Sequence, residues 1–204
     1  MAEQAVRPSD AAQGEPRRGW RTVDIVITAV LGVAFGVVFW AWGLLWAATG
    51  PAFGAFPPGQ AFMYGVWLLP AVLAPLVVRK PGAALFAELI AGIVSALLGS
   101  AWGSLVIVYG LLQGLAGELG FAAFGWRRYS WPQALLAAAL AGATAAGLDL
   151  YNYYPDWTPG WMTTYTALIV VSTVVIAGLG GMALTRALAA SGALSSFASG
   201  RTRV

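Results

Sequence analysis

The stretch VDIVITAVLGVAFGVVFWAWGLLWAAT, residues Val23–Thr49, decides the fold class. Its only charged residue is Asp24, at the second position. An α-helix rises about 1.5 Å per residue, so about 20 apolar residues cross the roughly 30 Å hydrocarbon core of a bilayer. Because the stretch is longer than that and nearly free of charge, it predicts a transmembrane helix.

Further apolar runs follow along the chain. They cover Ala61–Val78, Gly82–Leu98, Leu105–Phe124, Trp131–Tyr154 and Trp161–Leu188. Residues that favour turns, mainly Pro, Gly and Ser, separate them. Of the 204 residues 59% are hydrophobic and 9% are charged, whereas an ordinary soluble domain has about 25% charged residues. We therefore expect an all-α protein, an integral membrane bundle of six transmembrane helices.

The six runs account for nearly the whole chain and leave no second domain. Residues 21–190 are predicted to form the six-helix membrane domain. Residues 1–20 contain Pro, Gly and mixed charges without an apolar core, so they predict a disordered cytoplasmic tail and not a cleavable signal peptide. Residues 191–204 are predicted to form a second cytoplasmic tail.

The positions of the basic residues predict the orientation in the cell membrane. With six spans, one side receives both chain ends, the turn at Arg79 and Lys80, and the loop at Arg127 and Arg128. These segments, together with Arg186 at the same end of the sixth run, contain every Lys and Arg of the protein. The positive-inside rule therefore places both termini of this multi-pass protein in the cytoplasm. Because topology explains the formal charge of +3, we expect no nucleic-acid partner.

The residues that are missing exclude several kinds of chemistry. The sequence has no Cys and no His, so thiolate and imidazole metal ligands are excluded, as are disulfides and histidine proton relays. It has no G-x-x-x-x-G-K-[ST] loop for ATP and no Ser-His-Asp set for hydrolysis. We therefore expect no enzyme activity and no cofactor, and any energy for transport would come from another subunit.

Besides Asp24 at the start of the first run, three acids lie inside the apolar runs: Glu88, Glu118 and Asp149. A carboxylate at the centre of a transmembrane helix costs about 2.5–3.5 kcal/mol on insertion scales, so these acids are candidates for function. At 1.5 Å per residue, Glu88 and Glu118 lie about 12 Å deep from the basic turns, and Asp149 lies nearer the outside. Each could instead be a hydrogen-bonded packing acid, and Asp149 could be solvated or cap a neighbouring helix.

Aromatic and amide side chains near these acids complete a candidate binding site. Tyr64 and Trp67 are three residues apart and Trp161 and Tyr165 are four apart, so each pair shares a helix face. Gln113 and Glu118 differ by about 140° around one helix and could line only a broad cavity. A carboxylate and Trp or Tyr rings suit a cationic or amino-bearing aromatic ligand, although the aromatic pairs could also be interfacial anchors. The candidate substrate-binding residues are Glu88, Glu118, Gln113, Trp67, Tyr64, Asp149 and Trp161.

Small residues repeat every four positions in three of the runs. The stripes are Thr28, Gly32 and Gly36; Gly110 and Gly114, followed by Glu118; and Ala137, Ala141 and Ala145. Such spacing lets helix backbones approach closely, and packing inside the bundle is the default interpretation. The first stripe could equally be an outer surface that is presented to a partner subunit.

Four stretches carry a resemblance to a known family. They are RTVDIVITAVLGVAFGVVFW (Arg21–Trp40), FMYGVW (Phe62–Trp67), RKPGAALFAELIAG (Arg79–Gly92) and YGLLQGLAGELGF (Tyr109–Phe121). The chain resembles the YkoE-type S-components of energy-coupling-factor ABC transporters, which are substrate-binding membrane subunits. The resemblance covers most of the chain outside the tails, and it is most specific in the third and fourth stretches.

The resemblance implies a subunit that captures thiamine or its hydroxymethylpyrimidine precursor from outside. Its partners would be a transmembrane T-component and two cytoplasmic ATPase domains. Contact with the T-component through small residues of the first helix would here use Ala29, Gly32 and Gly36. In this interpretation Glu88 or Glu118 pairs with the pyrimidine, so Glu88→Gln or Glu118→Gln is expected to weaken binding far more than Asp156→Asn.

Two other functions fit the same residues. A self-sufficient secondary carrier would exchange protons at Glu88 and Glu118 and would transport a small cationic or amino-heterocyclic solute without ATPases. No convincing inverted repeat supports it. A noncatalytic membrane scaffold would use the acids only to bridge helices, and it would bind no ligand.

Overall fold

The structure is a computed structural model that describes residues 19–195 and 197–201. Its α-helices are α1 (Thr22–Thr49), α2 (Leu69–Val78), α3 (Ala83–Leu97), α4 (Leu105–Ala122), α5 (Trp131–Asn152), α6 (Pro159–Thr173), α7 (Gly180–Ala190) and α8 (Ala198–Arg201). A 3₁₀ helix, Pro57–Leu68, runs directly into α2, and a π-helical turn, Val174–Leu179, joins α6 to α7. The described residues contain no β-strand.

These elements form the expected six spans. In the described part of the chain, five helical segments are long and apolar enough to cross a membrane: Thr22–Phe53, Pro57–Val78, Leu105–Ala122, Trp131–Asn152 and Pro159–Ala190. The apolar helix α3 is shorter and completes the set. The prediction of an all-α bundle of six membrane helices is confirmed.

The helices alternate in direction and pack around α2. Residues Pro70–Val78 of α2 are all buried, so α2 forms the centre of the bundle. α3 packs between α1 and α4, and α5 packs between α4 and α6. We call the end with Arg79, Lys80, Arg127 and Arg128 the basic end. The opposite end, with the turns at 50–56, 98–104 and 153–158, is the aromatic end.

Glycines of the first stripe bring α1 against α3. A Cβ added to Gly32 would lie 2.7 Å from Cβ of Ile90, and one added to Gly36 would lie 2.4 Å from Cβ of Val94. Both glycines are therefore covered by the chain's own third helix. Gly32 and Gly36 are buried against α3, which supports the default interpretation of packing inside the bundle, and their role at a partner surface stays a prediction. Ala29, beside them, is half-buried.

Gly110 gives the clearest test of this close packing. A Cβ at Gly110 would lie 2.6 Å from the backbone oxygen of Glu88, which cannot move without displacing α3. We expect Gly110→Ala to lower the free energy of unfolding by about 1–3 kcal/mol, measured by thermal unfolding in detergent. Gly147→Ala is the matched control, since no neighbouring atom lies within 4 Å of that added Cβ. Equal melting temperatures for both variants would contradict the packing of α3 against α4.

The C-terminal segment packs against the basic end of the bundle. Leu194 and Phe197 are buried in one cluster with Val77 and Ala83, and Oγ of Ser199 donates a hydrogen bond of 2.7 Å to the Val77 oxygen. The described part of residues 191–204 is therefore docked and is not a free tail. Residues 1–18 of the predicted N-terminal tail lie outside the described residues, so their disorder stays a prediction.

The first half of the second span is a 3₁₀ helix, which the apolar pattern did not predict. Pro57, Pro58 and Pro70 bracket it and limit regular α-helical hydrogen bonding. Side chains at i and i+3 eclipse each other in a 3₁₀ helix, so Tyr64 and Trp67 project from the same face. This geometry directs both rings into the bundle.

Side-chain hydrogen bonds connect the 3₁₀ helix to α1 and α6. Trp42 Nε1 donates to the Met63 oxygen at 2.9 Å, and Gln60 Nε2 donates to the Trp46 oxygen at 2.6 Å. On the other side, Oγ of Ser172 donates to the Phe62 oxygen at 2.7 Å and accepts from the Gly65 N–H at 2.9 Å. These bonds fix the segment that carries Tyr64 and Trp67.

Candidate functional site

A cavity of about 180 Å³ lies in the aromatic half of the bundle. Residues from α1, the 3₁₀ helix, α3, α4, α5 and the turns at the aromatic end line it. They are Phe39, Trp46, Tyr64, Trp67, Ser95, Ser100, Trp102, Val106, Tyr109, Gly110, Gln113, Asp149, Tyr153 and Tyr154. The lining therefore combines aromatic rings with a few polar groups and one acidic residue, Asp149.

Four aromatic rings form a connected cluster along one wall of the cavity. Trp67 is its centre, with ring centroids 5.1 Å from Trp46, 5.3 Å from Tyr64 and 5.5 Å from Trp102. The Trp67 and Trp102 planes are nearly perpendicular, at 89°. Trp67 Nε1 also donates to the Phe39 oxygen at 3.3 Å. Hydrogen bonding and edge-to-face contacts thus restrain the ring that a planar ligand would meet.

Asp149 supplies the carboxylate of the cavity. It lies near the end of α5 and is only 6% exposed. Tyr165 Oη donates to Oδ2 at 2.6 Å, and Tyr64 Oη donates to Oδ1 at 3.3 Å. A carboxylate can accept about four hydrogen bonds, so Asp149 retains acceptor capacity for a donor that enters the cavity.

Neutral polar groups complete the lining. Gln113 on α4 and Ser95 on α3 are both buried and can each donate and accept hydrogen bonds. Tyr153 and Tyr154 lie in the turn beyond the end of α5. Burial is the main cause that raises the pKa of each phenol, and the Asp149 charge adds to it. Both hydroxyls therefore stay protonated near neutral pH and can donate.

The structure brings together four of the seven predicted substrate-binding residues. Tyr64, Trp67, Gln113 and Asp149 all line the cavity. Glu88, Glu118 and Trp161 do not line it. The two carboxylates that were expected to meet the ligand have other hydrogen-bonding partners.

Glu118 caps the start of α3 near the basic end. Its Oε1 accepts from the Gly82 N–H at 2.7 Å, and its Oε2 accepts from the Ala84 N–H at 3.1 Å. Trp126 Nε1 also donates to Oε1. The first N–H groups of a helix have no partner within the helix, and an acid there is stabilised by the helix dipole. Glu118 thus satisfies donors of the protein backbone.

Glu88 belongs to α3, and its fully buried side chain reaches the start of α2. Its Oε1 accepts from the Ala71 N–H at 2.9 Å, at the point where the 3₁₀ helix ends and α2 begins. Within the described part of the chain, Oε2 of Glu88 has no hydrogen-bond partner. Like Glu118, this acid caps a helix inside the membrane domain.

Trp161 lies at the surface of the aromatic end. Its side chain is 40% exposed, and its ring meets the edge of Trp157 at 5.6 Å. Trp157 in turn stacks on Tyr154, which lines the cavity, at 4.0 Å. Trp161 is therefore two rings away from the cavity, in the position of an interfacial aromatic residue.

Ten lining residues were not predicted as site residues. They are Phe39, Trp46, Ser95, Ser100, Trp102, Val106, Tyr109, Gly110, Tyr153 and Tyr154. One signal was available for Tyr109, because it lies four residues before Gln113 and so shares its helix face. Trp46, Trp102, Tyr153 and Tyr154 lie near the ends of the apolar runs, where aromatic residues also serve as interfacial anchors. Nothing in the sequence separates lining aromatics from interfacial ones.

The geometry suits a planar ring that bears an amine or a positive charge. The aromatic wall offers faces for stacking and for cation–π contact. Asp149 offers a charge-assisted hydrogen bond to an N–H donor, and such bonds are stronger than those between neutral groups. Gln113 and the serines can match further polar atoms of the ring.

Comparisons with known proteins agree on one kind of membrane subunit. A family described as "ABC-type cobalt transport system, permease component" matches residues 23–144. A protein of Bacillus subtilis (strain 168) that is named as an HMP/thiamine permease protein, YkoE, is 36% identical over 187 residues, which cover 90% of this chain and 92% of that protein. A solved structure described as an S-component of an ECF transporter superposes with a TM-score of 0.85 at 35% identity. It covers 90% of this chain and 92% of that chain.

Proposed function

This chain belongs to the YkoE-type S-components, the substrate-binding membrane subunits of energy-coupling-factor (ECF) importers, and on that premise we propose that its cavity binds hydroxymethylpyrimidine or thiamine. Both molecules carry an aminopyrimidine ring, and thiamine also carries a permanently positive thiazolium. The observation that carries the proposal is the Asp149 carboxylate, set in an aromatic cavity with unused acceptor capacity.

The size of the cavity fits one substituted aromatic ring. A cavity of about 150 Å³ in another protein holds one benzene molecule. The volume of about 180 Å³ here leaves room for a pyrimidine with small substituents. In this proposal the pyrimidine lies against Trp67, and its exocyclic amine donates to Asp149.

A cobalt ion, which the matching family's description names, fits this lining poorly. Transition metals of this kind bind best to imidazole and thiolate ligands, and the sequence has neither His nor Cys. Within residues 19–195 and 197–201, no three Asp or Glu side chains are grouped as metal ligands. The aromatic wall supports an organic ring as the ligand instead.

The finer arrangement of the transporter forms part of the same proposal. The basic end would face the cytoplasm, so the cavity would lie in the outer half of the membrane, where an importer captures its substrate. A transmembrane T-component and ATPase subunits would be the partners, because the chain has no ATP-binding loop of its own. The alternative of a proton-coupled carrier relied on Glu88 and Glu118, and both acids cap helices here.

Ligand binding by the purified protein tests the function. The detergent-solubilised chain should gain thermal stability from hydroxymethylpyrimidine or thiamine, because a ligand that binds only the folded state stabilises it. Riboflavin, an unrelated vitamin with a larger ring system, is the control and should leave the melting temperature unchanged. Uptake in cells should in turn require co-expressed ATPases. Stabilisation by neither pyrimidine ligand would contradict the proposal.

A further inference from the structure

Glu88 is buried close to the cavity yet contributes no atom to its lining. Its contacts connect α3 to the helix that follows the 3₁₀ segment. We infer that Glu88 is a positioning residue, which sets the aromatic wall of the site by capping the junction between the 3₁₀ helix and α2. This inference rests on the proposed function for its ligand, and on the structure alone for its geometry.

The backbone changes its helix type at this junction. Leu68, the last residue of the 3₁₀ helix, has φ −113° and ψ 6° and so does not continue a regular helix into α2. The next N–H, of Leu69, bonds back to the Val66 oxygen, and Pro70 has no N–H at all. Ala71 is therefore the first donor of α2 beyond the junction that needs a partner from elsewhere.

Glu88 supplies that partner. Its Oε1 accepts from the Ala71 N–H at 2.9 Å in a fully buried setting where no solvent can replace it. A buried N–H without an acceptor is costly, so the carboxyl selects the backbone geometry in which the 3₁₀ helix turns into α2. The bond also ties the junction to α3, which carries Ser95 of the cavity.

Tyr64 and Trp67 connect the junction to the ligand cavity. Trp67 lies two residues before the start of α2, and Tyr64 lies one 3₁₀ turn further back. Tyr64 donates to Asp149, and Trp67 is the centre of the aromatic cluster. A shift at the junction therefore moves the two rings that face the ligand, although Glu88 itself does not touch it.

The experiment uses three variants of the full-length protein, with hydroxymethylpyrimidine and thiamine as titrants. Glu88→Gln keeps an acceptor oxygen at the same reach, so its dissociation constant should stay within about threefold of the wild type. Glu88→Ala removes the acceptor and should weaken binding by about tenfold or more. Glu118→Ala is the matched control, because Glu118 also caps a helix but lies near the basic end. It should lower the melting temperature and leave the dissociation constant unchanged.

A second measurement does not depend on the ligand. Near-ultraviolet circular dichroism of the ligand-free protein reports all packed Trp and Tyr rings, including the close cluster of Trp46, Tyr64, Trp67 and Trp102. The signal should change in Glu88→Ala and stay as in the wild type in Glu88→Gln. Glu118→Ala is left out of this comparison, because it removes the acceptor of Trp126 Nε1 and so disturbs a Trp ring directly. The double variant Glu88→Ala, Tyr64→Phe should lose less affinity than the product of the two single-variant fold-losses. Both substitutions disturb the same aromatic wall, so their effects should not be independent.

The outcomes separate the two proposals. If wild-type protein binds neither pyrimidine compound, the proposed function fails, and the dichroism of the variants still decides the role of Glu88. Loss of affinity in Glu88→Gln as large as in Glu88→Ala would overturn the inference in favour of direct contact with the ligand. Equal losses in Glu88→Ala and Glu118→Ala, or an unchanged dichroism signal in Glu88→Ala, would overturn it as well. If Glu88→Ala does not fold, Glu88→Gln alone still distinguishes positioning from contact.

Discussion

Replacing Asp149 with Asn is expected to weaken the binding of hydroxymethylpyrimidine and thiamine by about 30- to several-thousand-fold. The removal of one partner from a buried, charged hydrogen bond costs about 2–5 kcal/mol. Asn keeps the size of the side chain and one oxygen that can accept from Tyr165, so the fold should persist. What is lost is the negative charge facing the ligand.

Isothermal titration of the purified variant in detergent measures this loss. Asp156→Asn is the control, since Asp156 is exposed in the turn that follows α5 and does not line the cavity. Its affinity should match that of the wild type. If both variants bind equally well, Asp149 is not the ligand's partner and only helps to pack Tyr64 and Tyr165.

The Trp67→Ala variant should lose about 5- to 150-fold in affinity. Stacking of a base on an aromatic side chain is worth about 1–3 kcal/mol by alanine substitution, and a pyrimidine ligand presents the same kind of ring. Trp67 also touches the other three rings of the wall, so its removal leaves the ligand without its central surface. The same titration measures the effect.

Two further variants show whether the loss comes from contact with the ligand. Trp161→Ala removes a ring of the same type at the same end of the bundle but outside the lining, and it should bind normally. Trp67→Phe keeps an aromatic face and should recover part of the affinity. Comparable losses of affinity in Trp67→Ala and Trp161→Ala would contradict a contact between Trp67 and the ligand. They would show instead that binding depends on aromatic packing at this end of the bundle in general.

The cost of a buried carboxylate was a sound guide to which acids matter and a poor guide to what they do. Glu88 and Glu118 are kept inside apolar helices, as the sequence showed, but their carboxyl groups accept hydrogen bonds from backbone N–H groups at helix starts. The expectation that Glu88→Gln or Glu118→Gln removes a ligand contact is therefore replaced by one in which Asp149 carries that effect. The predicted position of Asp149 near the outer surface allowed it to be interpreted as a solvated residue. The cavity lies in that same half of the bundle.

Boundaries of the spans were well predicted where the pattern was regular. α1 begins at Thr22 and ends at Thr49, within one residue of the apolar run, and α5 begins at Trp131 as expected. The 3₁₀ helix and the docked segment around Phe197 were not predicted. Both depend on contacts with distant residues, with Trp46 and Ser172 in one case and with Val77 in the other.

Hydropathy and the placement of Lys and Arg are properties of consecutive residues, so they establish the helical class, the six spans and the candidate orientation without any contacts. Which polar side chain faces the cavity, caps a helix or lies at the surface is a property of how the helices rotate and cross. That rotation follows from close approaches such as Gly36 to Val94 and Gly110 to Glu88, which no local pattern specifies. Packing between helices therefore decided that Asp149 faces the cavity and that Glu88 caps the start of α2 beside it.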